Sequence, residues 1–265
     1  WASHRVFRLC PEANLVVTPS DQAIQGEEAF QRDIIRGLDF VSKNDGMLTL
    51  GVKPTRPEPG YGYIQMGKAV EDDVFEVQSF TEKPEREFAR VFMQSGEFYW
   101  NTGLFLFNAR FAFTRFSELL PPVLRQYDAD NPEFDAHEEA LFIHENFPLY
   151  PNLSIEHGIL ESSNDVFVMQ CHFGWADLGT WHGMYEAMQK GENDNVVIDS
   201  DVILEDSSNN IIKLPKGKLA VINGLEGFIV VEKDNVLLIC KKEDSSAKVR
   251  KYVNEVMLKK GEGFV

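Results

Sequence analysis

Two aspartates in this sequence are candidate ligands for a metal ion. Asp21 ends an apolar run, residues 14–21, that predicts a buried strand, and Asp177 lies far along the chain within residues 175–181. Carboxylate oxygens from separate elements suit Mg²⁺, which commonly accompanies nucleotide phosphates. Taken alone, Asp21 is more typical of a helix cap and Asp177 of a turn. The metal hypothesis therefore depends on the motifs that lie between them.

Four polar and glycine-containing motifs lie between the two aspartates. Gly60 and Gly62 would let a sugar or a phosphate approach the backbone closely. Lys83 can meet a phosphate as a point charge, while Glu82 can accept hydrogen bonds from sugar hydroxyls. Taken singly, each motif also fits an ordinary turn. The motifs occupy residues 57–64, 80–84, 100–107 and 154–161.

Short apolar runs alternate with helical patterns up to about Gly191, which predicts an α/β sheet with helices on its faces. A strand at residues 15–17, a helix carrying Phe30 to Val41 and a strand at residues 47–50 imply a parallel crossover. Ligands collect at the carboxyl ends of strands in such sheets. Both aspartates are accordingly predicted at strand-to-helix junctions. A further helix at residues 85–94 is predicted to bury Phe88, Val91 and Phe92 on one face.

Beyond Glu192 the pattern changes to six short strands separated by turn residues, followed by one helix. The chain is thus predicted to comprise an α/β domain at residues 1–191 and a β-rich module at residues 192–265. Residues Val249, Val253 and Met257 are at helical spacing in the last segment. No catalytic constellation is visible in this module, so a structural or oligomerising role is predicted for it.

Composition narrows the possible partners. The 265 residues carry a formal net charge of −16, which repels polyphosphate and argues against nucleic acid as a partner. No apolar run approaches the roughly 18 to 20 residues that a membrane span needs, so no membrane partner is predicted. The three cysteines are an odd count without zinc spacing, which favours a reducing, cytoplasmic setting.

The motifs, in this order, resemble those of the sugar-nucleotide pyrophosphorylases, and most closely the mannose-1-phosphate guanylyltransferases. The resemblance implies a Rossmann-like, GT-A-like nucleotidyltransferase fold with a mixed sheet and a β-helix-like C-terminal module. It implies the substrates GTP and mannose 1-phosphate, the products GDP-mannose and pyrophosphate, and Mg²⁺ as the cofactor. It assigns the metal to Asp21 and Asp177, catalysis to these two residues and Lys83, and substrate contacts to Tyr61, Gly62, Glu82, Lys83, Asn101, Gly103 and Glu156.

One departure from the family pattern concerns the nucleotide. Family members carry a glycine-rich loop with an arginine ahead of the first aspartate, whereas no glycine precedes Gly26 here. Since that loop cradles the triphosphate, we expect this chain to catalyse nucleotidyl transfer poorly. Residues 15–17 are also expected on an exposed sheet edge. Glu156 and His157 stand where relatives often carry aspartate and tyrosine.

Two other functions remain open at this stage. The chain could be a non-catalytic homologue that binds a sugar phosphate or regulates another protein. It could also be a nucleotidyltransferase that uses another base or another hexose phosphate. The β-rich module and the bare sheet edge additionally suggest a homodimer.

Overall fold

The computed structural model describes residues 1–120, 136–243 and 245–264. Among these residues the α-helices are α1 (Ala2–Leu9), α2 (Glu27–Lys43), α3 (Arg86–Ser95), α4 (Ala109–Leu119), α5 (Ala136–Asn146), α6 (Trp181–Ala187) and α7 (Ser245–Lys260). The strands of the first part are β1 (Asn14–Val17), β2 (Gln22–Gln25), β3 (Met47–Val52), β4 (Tyr63–Glu71), β5 (Val74–Thr81), β6 (Phe98–Asn108), β7 (Val166–Gln170) and β8 (Gly174–Asp177). Those of the later part are β9 (Val196–Ile198), β10 (Asp201–Glu205), β11 (Ile211–Lys213), β12 (Leu219–Asn223), β13 (Phe228–Lys233) and β14 (Val236–Lys241).

A six-stranded mixed sheet dominates the first part, in the order β1-β6-β3-β7-β5-β4. The pair β3 and β7 is parallel, and the other neighbours are antiparallel. Strands β1 and β3 point the same way, as predicted, but β6 lies between them and runs antiparallel to both. The sheet confirms the predicted mixed α/β fold class.

The segment around Asp21 differs from the predicted buried strand. Strand β1 ends at Val17 and lies at the edge of the sheet, where Val16 and Val17 are 38% and 39% exposed. Asp21 then precedes the short strand β2 instead of a helix. The reason is that β2 pairs with β8, a partner distant in sequence that local periodicity does not reveal. The exposed edge at residues 15–17 agrees with the expectation from the sequence.

Helix α2 packs on one face of this sheet through the apolar residues that its spacing predicted. Phe40 and Val41 belong to the same buried cluster as Leu48 of β3. Gly37 lets the helix approach closely, because a Cβ there would lie 2.9 Å from Leu106 Cδ2. The neighbouring Met47 joins a second cluster on the opposite face, as the two-residue period of a strand requires.

Helix α3 packs through a different face from the predicted one. Phe88 and Val91 are each 59% exposed, whereas Ala89 is fully buried. Phe92 packs partly against the cluster that contains Tyr63. The predicted face was wrong because only a narrow stripe of this short helix meets the sheet, and the small Ala89 lies at its centre.

The later part forms each of the six predicted strands. Strands β9, β11 and β13 pair in parallel, as do β10 and β12. Buried asparagines link successive turns of this module. The side-chain Nδ2 of Asn210 donates to Asn195 Oδ1 at 3.0 Å, 15 residues earlier in the chain. Asn210 Oδ1 accepts from the amide of Phe228 at 2.8 Å, 18 residues later. Short parallel strands repeated in this way confirm the β-helix-like module.

Helix α7 covers only part of this module. The predicted helix is present: Val249 packs against the cluster around Ile211, whereas Val253 and Met257 are 42% and 45% exposed. The domain boundary at residue 191 stays a prediction. No helix in the described ranges is both long and apolar enough to cross a membrane.

Candidate active site

A single cleft of about 250 Å³ gathers the residues that the sequence singled out. Strand ends, loops and the middle of β6 all contribute to it. The predicted residues that line it are Asp21, Tyr61, Gly62, Glu82, Lys83, Asn101, Gly103, Glu156 and Asp177. The cleft is also lined by Gly60, which the sequence predicted to lie near a ligand. Its other lining residues were not predicted and are Pro19, Gln22, Thr102 and Trp175.

The two aspartates meet because β2 pairs with β8. In this antiparallel ladder Gln22 is the register partner of Asp177, and the amide of Leu178 donates to the carbonyl of Asp21 at 2.9 Å. A Cβ placed on Gly179 would lie 3.0 Å from Asp177 Oδ1 and 3.0 Å from Asp21 Oδ2. The two carboxylates therefore face the same small space. Asp177 lies at the predicted strand-to-helix junction, whereas Asp21 lies between two strands.

The surroundings of Asp177 disfavour its negative charge. Burial raises the pKa of this carboxyl above its ordinary value, and the nearby Asp21 and Glu58 carboxylates raise that pKa further. The amide of Gly179, which donates to Asp177 Oδ1 at 2.8 Å, and the Lys83 ammonium act in the opposite direction. A cation bound between the carboxylates would relieve this repulsion.

The pair of carboxylates fits a hard divalent cation that is shared with a substrate. The described residues include no group of three or more histidine, cysteine, aspartate or glutamate side chains suited to a metal ion. Mg²⁺ often takes only one or two protein carboxylates and completes its coordination with water and substrate phosphates. The assignment of Asp21 and Asp177 as ligands stays a prediction that this donor set supports.

Lys83 and Glu82 form an ion pair at the opening of the cleft, with Nζ and Oε1 2.7 Å apart. Lys83 has a φ of 47°, a left-handed conformation that costs energy for a residue with a side chain. Gly62 makes room for this pair, because a Cβ there would lie 2.6 Å from Glu82 Oε2. A side chain at position 62 would therefore displace the Glu82 carboxylate from its position in the cleft.

Asn101 is held by hydrogen bonds that orient its amide group. Its Oδ1 accepts from Thr49 Oγ1 at 2.9 Å and from the amide of Gly103 at 3.2 Å. Its Nδ2 donates to Glu156 Oε1 at 3.4 Å, and Glu156 begins a π-helical turn. This asparagine lies inside β6, and Gly103 interrupts the regular strand backbone there with a φ of 73°.

Tyr61 forms part of the aromatic lining of the cleft. Its ring meets those of Trp100 and Trp175 edge-on, each with a centroid separation of 5.2 Å. Burial raises the pKa of the Tyr61 hydroxyl, which lies 3.5 Å from Thr180 Oγ1. The phenol therefore stays protonated and can donate a hydrogen bond at neutral pH.

Arg56 and Glu58 pack against the aromatic residues that line the cleft. Neither residue was predicted from the sequence to belong to the site. Arg56 lies over the ring of Trp100, 4.9 Å from its centroid, and pairs with Glu58 at 3.4 Å. The buried Glu58 also accepts from the amide of Gly60 at 2.9 Å. The proline-rich loop from 57 to 59 was recognised as a motif, but nothing in its local sequence indicates these contacts.

Comparison with known proteins identifies the family of this chain. The nucleotidyl transferase family matches residues 6–194. The chain is 31% identical over 247 residues to the mannose-1-phosphate guanylyltransferase of Salmonella muenchen, covering 91% of this chain and 50% of that protein. It is 32% identical to the alginate biosynthesis protein AlgA of Pseudomonas aeruginosa, covering 86% of this chain and 48% of that protein. The chain thus spans about half the length of these curated relatives.

A solved structure shows the same fold. A crystal structure described as mannose-1-phosphate geranyltransferase from Thermus thermophilus aligns with a TM-score of 0.74 at 25% identity, covering 96% of this chain and 72% of that one. The resemblance to mannose-1-phosphate guanylyltransferases that the motifs indicated is confirmed. The family match extends over most of the chain and includes both aspartates, so the chain belongs to the nucleotidyl transferase family.

Proposed function

We propose that this chain provides the sugar-phosphate side of a mannose-1-phosphate guanylyltransferase. In the proposed reaction an oxygen of mannose 1-phosphate attacks the α-phosphorus of GTP in line. The new phosphorus–oxygen bond forms as the bond to the β-phosphate oxygen breaks, which gives GDP-mannose and pyrophosphate. The observation that carries this proposal is that two facing aspartates, one lysine and a pocket of polar side chains meet in one cleft.

The part of the cleft around Glu82, Asn101 and Glu156 suits the hydroxyl groups of a hexose. Glu82 and Glu156 offer acceptors, and the amide of Asn101 offers a donor. The glycines at 62 and 103 leave the ring free to approach the backbone. These contacts support recognition of a hexose without assigning which one, and the names of the relatives favour mannose.

The charged part of the cleft suits the phosphate. Lys83 would orient the attacking phosphate, because its ammonium lies at the opening of the cleft beside the aspartates. Asp21 and Asp177 would hold Mg²⁺, whose charge would offset the negative charge on the transferred phosphoryl group. Replacing Asp177 by asparagine should then lower turnover at least about a hundredfold, the effect of losing one electrostatic stabiliser.

None of the residues that line the cleft is assigned to the nucleotide. Binding of mannose 1-phosphate is therefore the step of the proposed reaction that these residues allow us to test first. The cytoplasmic setting stays a proposal that rests on the cysteine count.

Calorimetric titration with hexose 1-phosphates in the presence of Mg²⁺ tests this proposal. Mannose 1-phosphate should bind more tightly than glucose 1-phosphate and galactose 1-phosphate. Tighter binding of either competitor would reassign the sugar, and binding of none would reject the proposed function. Pyrophosphate release with GTP, compared with ATP, UTP and dTTP, would then separate catalysis from binding alone.

A further inference from the structure

A second cavity of about 330 Å³ lies beside the candidate active site and is shared with the C-terminal helix. Asp21, Gly60, Lys83 and Asp177 line both this cavity and the sugar cleft. The opposite wall comes from the loop after Asp177 and from the first turns of α7. The residues that complete it are Gly179, Thr180, Trp181, Ser245, Ser246, Val249 and Arg250.

Arg250 brings a positive charge into this cavity. Its Nε donates to the carbonyl of Ser246 at 3.1 Å, and its Nη2 donates to the carbonyl of Pro59 at 3.3 Å. Within the described ranges it forms no ion pair, whereas Arg36 and Arg115 each pair with a carboxylate. In a chain of net charge −16, an anionic ligand has to be attracted by cations that are gathered locally, as Arg250 and Lys83 are here. The guanidinium has five N–H donors, so several stay available to a ligand.

The start of α7 approaches the active-site loop closely. A Cβ on Gly60 would lie 2.8 Å from Ser246 Oγ, so a larger residue at 60 would push the helix away. The Ser246 hydroxyl is buried and has no hydrogen-bond partner among the described residues. This helix is 16 residues long, and amide groups at the start of such a helix favour an anion. The buried Ser246 hydroxyl and the start of α7, like the charges of Arg250 and Lys83, favour an anionic ligand.

We propose that Lys83, Arg250 and the first turn of α7 form a phosphate-binding subsite next to the aspartate pair. The subsite takes a phosphate group, carried either by mannose 1-phosphate or by pyrophosphate. Guanidinium groups bind phosphate oxygens in a bidentate manner, and Lys83 supplies a second positive charge. The C-terminal part of the chain would then contribute a binding residue, which goes beyond the structural role that its sequence suggested. This inference rests on the proposed function.

Three variants test the subsite by titration with mannose 1-phosphate and with pyrophosphate. Arg250→Ala removes the charge, and Arg250→Lys keeps it without the bidentate geometry. Lys251→Ala is the matched control, because Lys251 is exposed on the same helix and pairs with Glu255. Losing a charged hydrogen bond should weaken phosphate binding by about tenfold or more in Arg250→Ala. Arg250→Lys should recover part of the affinity, and Lys251→Ala should leave it unchanged.

The two ligands distinguish the source of the phosphate. Weaker binding of mannose 1-phosphate alone assigns the subsite to the sugar phosphate, and weaker binding of pyrophosphate alone assigns it to the leaving group. Thermal denaturation of each variant checks that it is folded. If Arg250→Ala does not fold, the affinity of Arg250→Lys for the two ligands is the test of the subsite. Equal affinities in wild type and both Arg250 variants would overturn the subsite while the proposed function stands. Wild-type binding of pyrophosphate but not mannose 1-phosphate would reject the sugar assignment only, and binding of neither would reject both.

Discussion

At the scale of single residues, the surroundings of Asp177 give the strongest support for the proposed cation site. Its carboxylate is partly buried next to Asp21, and the amide of Gly179 only partly offsets the cost of its charge. A protein gains no stability from two facing carboxylates by themselves. A cation bound between them would offset their repulsion. The repulsion itself can be tested by measuring protein stability without an activity assay.

Asp177→Asn should stabilise the cation-free protein at neutral pH. The pKa of Asp177 is raised above its ordinary value of 3.8 in the folded state, so its contribution to stability is fully present below that value. That contribution is lost as the pH rises through the raised folded pKa. The melting temperature of Asp177→Asn should therefore exceed that of wild type at pH 7, and the difference should shrink below about pH 4.

Thermal denaturation between about pH 3.5 and pH 7.5, with a chelator present, measures this difference. The exposed Asp201 supplies the control, since Asp201→Asn should behave as wild type. A lower melting temperature for Asp177→Asn at pH 7 would contradict the electrostatic account of the pair.

Single residues also show how far the sequence predicted the site. All the predicted site residues line one cleft, because the motifs that carry them are compact and ordered along the chain. Arg56, Glu58 and Arg250 were missed for a different reason. Their contacts with Trp100 and Pro59 depend on how distant segments approach each other, and no local pattern records that approach.

At the scale of secondary-structure elements, the close approach of α2 to the sheet depends on Gly37. A Cβ at this position would lie 2.9 Å from Leu106 Cδ2 and 3.2 Å from Leu48 Cδ2. Helix propensity alone would make Gly37→Ala stabilising by about 1 kcal/mol. Because the core is closely packed, we expect the opposite sign, a loss of about 1–3 kcal/mol in the free energy of unfolding.

Urea denaturation of Gly37→Ala measures that free energy directly. Gln31→Ala, at an exposed position of the same helix where the side chain bonds with Glu27, is the control and should change it little. An increase in stability for Gly37→Ala would show that the helix can shift away from the sheet without cost.

Elements were predicted well where their own periodicity decides the structure. Helix α2 and the six strands from β9 to β14 appear where the pattern placed them. The pairing of β2 with β8 and the exposed face of α3 were not predictable in the same way. Strand partners and the buried stripe of a short helix are set by tertiary packing, which a window of local sequence does not contain.

At the scale of the whole molecule, one site draws on both the α/β part and the strand-rich part. Arg86 of α3 pairs with Glu243, and Arg250 of α7 reaches the carbonyl of Pro59, so the two parts are tied together around the cleft. The chain as a whole is acidic, with a net charge of −16, and an anionic substrate must therefore be attracted locally. Lys83, Arg250 and a cation between the aspartates would provide that local attraction.

Association of two chains stays a prediction at this scale. Ile203 and Val221 are register partners in the pair β10 and β12 and are 55% and 70% exposed. The edge strand β1 is also open. These surfaces are compatible with the homodimer expected from the sequence, and sedimentation of the chain at several concentrations would test it.

Above all, we propose that one cleft binds mannose 1-phosphate together with a divalent cation held by Asp21 and Asp177. The most direct test is calorimetric titration of mannose 1-phosphate with and without Mg²⁺, for wild type and for Asp177→Asn. We predict that Mg²⁺ raises the affinity of the wild-type protein for mannose 1-phosphate by about tenfold or more. The affinity of Asp177→Asn for mannose 1-phosphate should be nearly the same with and without Mg²⁺, because the variant has lost a charged contact with the cation. Equal enhancement by Mg²⁺ in both proteins, or none in wild type, would contradict the account.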